Sequence, residues 1–174
     1  SGESFTPNKG SVIATAVSLG GDGVGNNTIY RGLIVRLDEK GDACVAFDAD
    51  TMRLAGAWTD GSLALVGLPF TGGHGAYPSV RGDKVFHLGA RPGWAKAGNL
   101  KDPRAGDYPP LGHLPKDWAH YKGLYMSGDK VVFKYTVGAA DVWETSSLVS
   151  ASDTEKAIVR TLRIARDGSP MIMV

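Results

Sequence analysis

A histidine set among glycines, in "TGGHGAYP" at 71–78, carries the plainest chemical option in this sequence. Gly72, Gly73 and Gly75 let the backbone around His74 approach another molecule closely, so its imidazole can hydrogen-bond a ligand or a neighbouring loop. The other histidines are His87, His113 and His120. No pair of the four shows the short H-x-x-x-H spacing of a metal site, and His87 in "KVFHL" reads as a strand residue. No metal ligand is assigned.

Catalytic motifs are scarce. There is no G-x-S-x-G, and Cys44, the single cysteine, sits in "ACVAFD", where it reads as a small apolar strand residue rather than a nucleophile. Asp102, Asp107 and Asp117 could pair as acid and base on a sugar, but aspartate beside proline or glycine is ordinary turn chemistry. "GGDGVG" at 20–25 lacks the helix a phosphate loop needs, since "NNTIYRGLIV" opens a strand. Asp48 and Asp50 do not start a calcium loop, because its sixth position would be Arg53 rather than glycine. No catalytic residue and no cofactor are assigned, and covalent haem by C-x-x-C-H is excluded within this chain.

Aromatic rings offer a different chemistry, because flat faces stack on sugars while arginine or aspartate beside them hydrogen-bonds hydroxyls. The candidate ligand-binding set is His74, Tyr77, Trp94, Arg104, Trp118 and Tyr121, around a cleft between "GGHGAYP" (72–78) and 89–122. The competing reading makes most of these rings the core of the long segment itself.

The elements that must position these residues are short strands. "SVIATAVS" (11–18), "YRGLIVRL" (30–37), "ACVAFD" (43–48), "MRLAGAW" (52–58) and "LALVG" (63–67) are separated by turn chemistry at "DEKGD", "DADT" and "TDGS". "KVFHL" (84–88), "GLYM" (123–126), "KVVFKYTV" (130–137), "ADVWET" (140–145), "AIVRTLRIA" (157–165) and "PMIMV" (170–174) follow. In 130–137, Val131, Phe133, Tyr135 and Val137 share one face, the period of a strand with one buried side. The pattern predicts an all-β, antiparallel β-sandwich-like domain, with a barrel or a propeller fragment as alternatives. One helical turn is expected near 114–121. Residues 89–122 hold five prolines and little strand pattern, yet Trp94, Leu100, Tyr108, Leu111, Leu114, Trp118 and Tyr121 are enough apolar area to dock the segment in an ordered state.

At 174 residues the chain reads as one domain, 1–174, cut from a larger multidomain protein, and no run approaches the roughly 18 apolar residues of a membrane helix. Net charge is +1, which argues against nucleic acid as a partner. Charge is uneven: 81–134 carries ten Lys/Arg against five Asp/Glu, a mild basic bias that could help hold an anionic ligand.

The stretches at 30–61, "GGHGAYPS" (72–79), "RPGWA" (91–95) and 114–138 resemble a domain of unknown function found in large exported proteins of the planctomycete type, beside c-type cytochrome domains and dehydrogenase-like propellers. A second histidine often stands in that family where this chain has Tyr77. The resemblance implies an extracytoplasmic location and partners among the cytochrome or dehydrogenase domains of one parent protein. It leads to the expectation of a non-catalytic accessory module of a redox or polysaccharide-processing protein, binding a carbohydrate-like ligand or docking neighbouring domains. The alternatives are an enzyme domain acting on a polyhydroxylated substrate and a purely structural spacer.

Overall fold

The computed structural model describes residues 3–4, 11–20, 27–65, 77–104, 110–152, 154–165 and 171–174. The described chain is all β, and no helix in it is long and apolar enough to cross a membrane. The first sheet contains β1 (Glu3–Ser4), β2 (Val12–Ser18), β3 (Thr28–Arg36), β4 (Cys44–Asp48), β5 (Arg53–Leu65) and β6 (Ser79–His87). Strands β2 to β5 pair antiparallel in sequence order. β6 pairs antiparallel with β5 and also meets β2 in parallel at Ser18 and Ser79, so the sheet closes on itself.

Closure depends on a bend in β5. The sequence predicts a turn at "TDGS", dividing 52–67 into two strands. The structure instead runs one strand through it with a bulge between Thr59 and Ser62. Asp60 has φ +54°, so the same turn chemistry serves a kink within the strand. A Cβ on Gly82 would lie 2.5 Å from the Gly61 Cα, and that contact explains why glycines meet at the crossing.

The second sheet is open and antiparallel, in the order β11-β10-β9-β8, from β8 (Ala119–Ser127), β9 (Lys130–Val137), β10 (Ala140–Ser150) and β11 (Lys156–Ile164). A two-stranded ribbon joins β7 (Trp94–Ala95) to β12 (Ile172–Met173). Val131, Phe133, Tyr135 and Val137 are all buried, on the face their alternation predicts.

Two cores result. Val17, Ile29, Ile34, Cys44, Ala46, Ala55, Trp58 and Leu63 fill the inside of the closed sheet. Val45, Phe47, Leu54 and Ala57 point outward from its wall and pack against Phe133, Tyr135 and Val142 of the open sheet. Phe47 stacks on Phe133 with ring centroids 4.3 Å apart. The arrangement is sandwich-like because one wall of the closed sheet is a layer facing the second sheet. Burial pushes the Cys44 thiol up to about 12, in keeping with a packing role.

The described part of 89–122 is packed against this sandwich. Leu114, Trp94 and Trp118 enter the core between the sheets, while Leu111 is exposed and Tyr108 lies outside the described residues. The amides of Gly93 and Leu114 donate to the carbonyls of Thr51 and Asp50, tying the segment to the β4–β5 turn. A Cβ on Gly93 would sit 2.1 Å from the Met52 oxygen, so only glycine fits that approach. The expected helical turn is one turn at 116–118, after which β8 begins.

Candidate functional site

Charged side chains converge where β4 turns into β5. Asp48 ends β4, and its Oδ1 accepts the Asp50 amide at 3.0 Å while Oδ2 accepts the Thr51 hydroxyl at 2.7 Å. These bonds hold the turn, as aspartate commonly does. Arg53 is 1 % exposed, donates to the carbonyls of Leu88 and Gly89 at 2.7 and 2.5 Å, and lies 3.4 Å from Asp48. Burial pulls the Arg53 guanidinium below its usual range, opposed by the Asp48 carboxylate.

Asp50 has a different setting. Its carboxylate is buried, yet Oδ1 lies 2.8 Å from His113 Nδ1 and 3.4 Å from Arg31 Nη1, and both partner side chains are about half exposed. Arg31 Nη1 is also 2.7 Å from His113 Nε2. Arg31 Nη1 is 2.8 Å from His113 Nδ1 as well, so the guanidinium lies against the Nδ1–Cε1–Nε2 edge of the ring. Burial and the charge of Asp48 raise the Asp50 carboxyl above the usual range, and His113, Arg31 and Arg104 oppose that rise. A desolvated carboxylate is therefore screened from solvent by one imidazole and one guanidinium.

Arg104 braces the segment that delivers His113. Its Nε and Nη2 grip Asp102 at 2.9 and 2.6 Å, and Nη1 donates to the Gly112 carbonyl at 2.7 Å. Tyr121 lies in the same field: burial raises its hydroxyl, and the charge of Arg31 opposes the shift. His120 is held below its usual value by burial and by cations including Lys122, Lys116, His113 and Arg31.

The six ligand-binding residues expected from sequence separate into groups. Arg104 and Tyr121 border the Asp50 cluster. Tyr77 makes an edge-to-face contact with Tyr30, centroids 5.8 Å apart, next in sequence to Arg31. Trp94 and Trp118 are 2 % and 5 % exposed, with indole N–H groups donating to the Tyr135 hydroxyl and the Trp94 carbonyl. Neither indole offers a face to solvent, and this is the packing alternative for those rings. His74 lies outside the described residues.

Arg31, Asp50 and His113 are absent from that set. "DADT" reads locally as a turn, and nothing within it signals that one aspartate will be covered by side chains from β3 and from the long segment. Among the described residues, no three histidine, cysteine or carboxylate groups gather closely enough to hold a metal ion.

A family model described as a domain of unknown function, DUF6797, matches residues 45–144. That span includes Asp50, Arg104, His113 and most of the sheet-to-sheet core, and leaves Arg31 outside. No curated protein and no solved structure matches the chain.

Proposed function

Because the chain belongs to the DUF6797 family of domains of unknown function, we propose its role from its own site: a non-catalytic accessory module that binds a polyhydroxylated, carbohydrate-like ligand over Asp50, His113 and Arg31. The observation that carries this reading is the buried Asp50 carboxylate lying against two half-exposed side chains, His113 and Arg31. A hydroxyl both donates and accepts, so neighbouring sugar hydroxyls can donate to Asp50 and accept from Arg31, a match a simple anion lacks. Binding is favoured over catalysis because the Arg31 cation lies against both ring nitrogens of His113, which crowds the imidazole and disfavours its taking up a further proton.

The parent protein in this reading is extracytoplasmic, of planctomycete type, and carries c-type cytochrome or dehydrogenase domains that the module can also dock. The sequence resemblance supports that context. Two other readings each have an observation. Asp50 and His113 at 2.8 Å form the orienting half of an acid–base pair, which supports an enzyme acting on a polyol once Arg31 swings away. Burial of Trp94, Leu114 and Trp118 supports a spacer whose long segment covers the sheets.

One variant separates the three. His113→Ala should lower the melting temperature only modestly, because water can replace the half-exposed imidazole at Asp50, and lose about 1–3 kcal/mol of glycan binding on an oligosaccharide array, the scale of hydrogen bonds in a partly desolvated site. Substrate turnover by the wild type that the variant lacks would establish the enzyme. A destabilised variant from a parent that binds no glycan would leave the spacer.

A further inference from the structure

Three of the four tryptophans are buried: Trp58, Trp94 and Trp118. Trp143 is only half-buried, on β10. Strand alternation turns Val142, Glu144 and Ser146 into the core, so Trp143 and Thr145 stand on the opposite, outer face of the open sheet. Across that face the register sets Lys134 of β9 and Arg163 of β11 directly beside Trp143. The Lys134 ammonium is 5.1 Å from the indole centroid and the Arg163 guanidinium 5.4 Å. The next row holds Tyr125, Val132, Thr145 and Thr161, with Tyr125 46 % exposed.

The two cations lack strong carboxylate partners. Lys134 meets Asp141 only at 3.7 Å, with both side chains 40 % exposed, a weak contact in water. Among the described residues Arg163 has no ion pair. Cations placed against an indole, one with only a weak ion pair and the other with none among the described residues, suit a flat ligand that brings its own negative charge. A neutral sugar would use the ring and leave the charges idle. Nucleic acid calls for a denser basic field than a chain of net charge +1 and pI near 7.8 supplies. A uronic acid suits the two charges that the indole holds in place: its planar carboxylate matches the guanidinium fork, its second anionic neighbour along the chain can meet the ammonium, and its hydroxyls can bond the exposed Thr161.

We propose that the outer face of the open sheet, centred on Lys134, Trp143 and Arg163, is a binding surface for acidic polysaccharide of the uronate type. It is built from different side chains than the Asp50 cluster and does not depend on that reading. Affinity electrophoresis of the whole chain through gels containing polygalacturonate tests it. The wild type should be retarded, and Trp143→Ala and the exposed Arg163→Gln should each weaken apparent affinity about tenfold, whereas His113→Ala should leave it unchanged. Gels of pullulan, dextran sulfate or single-stranded DNA should not retard the wild type. Thermal melts of Trp143→Ala check folding, and Arg163→Gln, on an exposed site, carries the test if the tryptophan variant unfolds. Absence of retardation by polygalacturonate, retardation kept by Arg163→Gln, or equal retardation by the neutral, sulfated or nucleic-acid polymer would overturn the proposal. Retardation lost only with His113→Ala would overturn it too while leaving the Asp50 site standing.

Discussion

Strands β4 and β11 are both rich in residues that favour sheets, yet every residue of β4 is buried and none of β11 is fully so. β4 lies in the wall shared by the two cores. Cys44 and Ala46 face the narrow interior of the closed sheet, and Val45 and Phe47 face the wider space between the sheets. β11 is the edge of the open sheet and borders a single core. Its exposed Lys156 and Arg163 place charge along the edge, a common guard against unwanted strand pairing, while Arg160 turns inward to the buried Glu144. The same strand chemistry thus meets opposite fates according to how many layers cover it. Both proposed ligand surfaces lie where covering layers end.

The largest test of this contrast is Phe47→Ala. Removing a ring that links the closed sheet to Phe133 should cost about 3–5 kcal/mol in urea unfolding, and a loss under about 1 kcal/mol would show that the cores do not meet through β4. Next is Gly93→Ala, which pushes a methyl into the Met52 carbonyl. About 1–3 kcal/mol of destabilisation is expected, with amide exchange rising around 91–96 and 112–118 and not in β2 or β3.

A smaller effect depends on pH. Asp50 holds its proton more tightly folded than unfolded, because burial and Asp48 disfavour its charge. As pH rises through the ordinary carboxylate range toward the raised native value, the unfolded chain loses that proton first, so stability falls. Melting temperatures of the wild type and Asp50→Asn across that window should therefore diverge, the wild type losing ground as pH rises. Parallel curves would mean that His113 and Arg31 fully compensate the buried charge. Smallest of all, Val159→Thr on the outer face of β11 should change stability by no more than about 0.5 kcal/mol. A larger loss would reveal a covering layer over that face.

Much of the fold was legible locally. Alternation in 130–137 named the buried face of β9 correctly, and turn residues marked most strand ends, because pleat and turn geometry act over a few residues. "TDGS" misled for the same reason: positive φ at Asp60 suits a hairpin turn and a bulge equally, and the choice was made by β6 pairing alongside. In the long segment, aromatic content forecast docking, and Trp94 and Trp118 do dock, but it could not say which rings would stay in water. That Trp143 remains on a surface while three other indoles are buried follows from which face of the open sheet the closed one covers.

What the sequence determined by itself is the inventory: an all-β chain, its strands, its apolar faces and a long segment with enough aromatic area to pack. These follow from interactions between near neighbours. Only the tertiary structure decided that the first sheet closes through β6, that one of its walls is buried twice, and that Arg31 meets His113 across 82 residues of chain to cover Asp50. The reason is physical. A buried charge is set by what surrounds it in space, and no local propensity records which distant side chains will supply its hydrogen bonds.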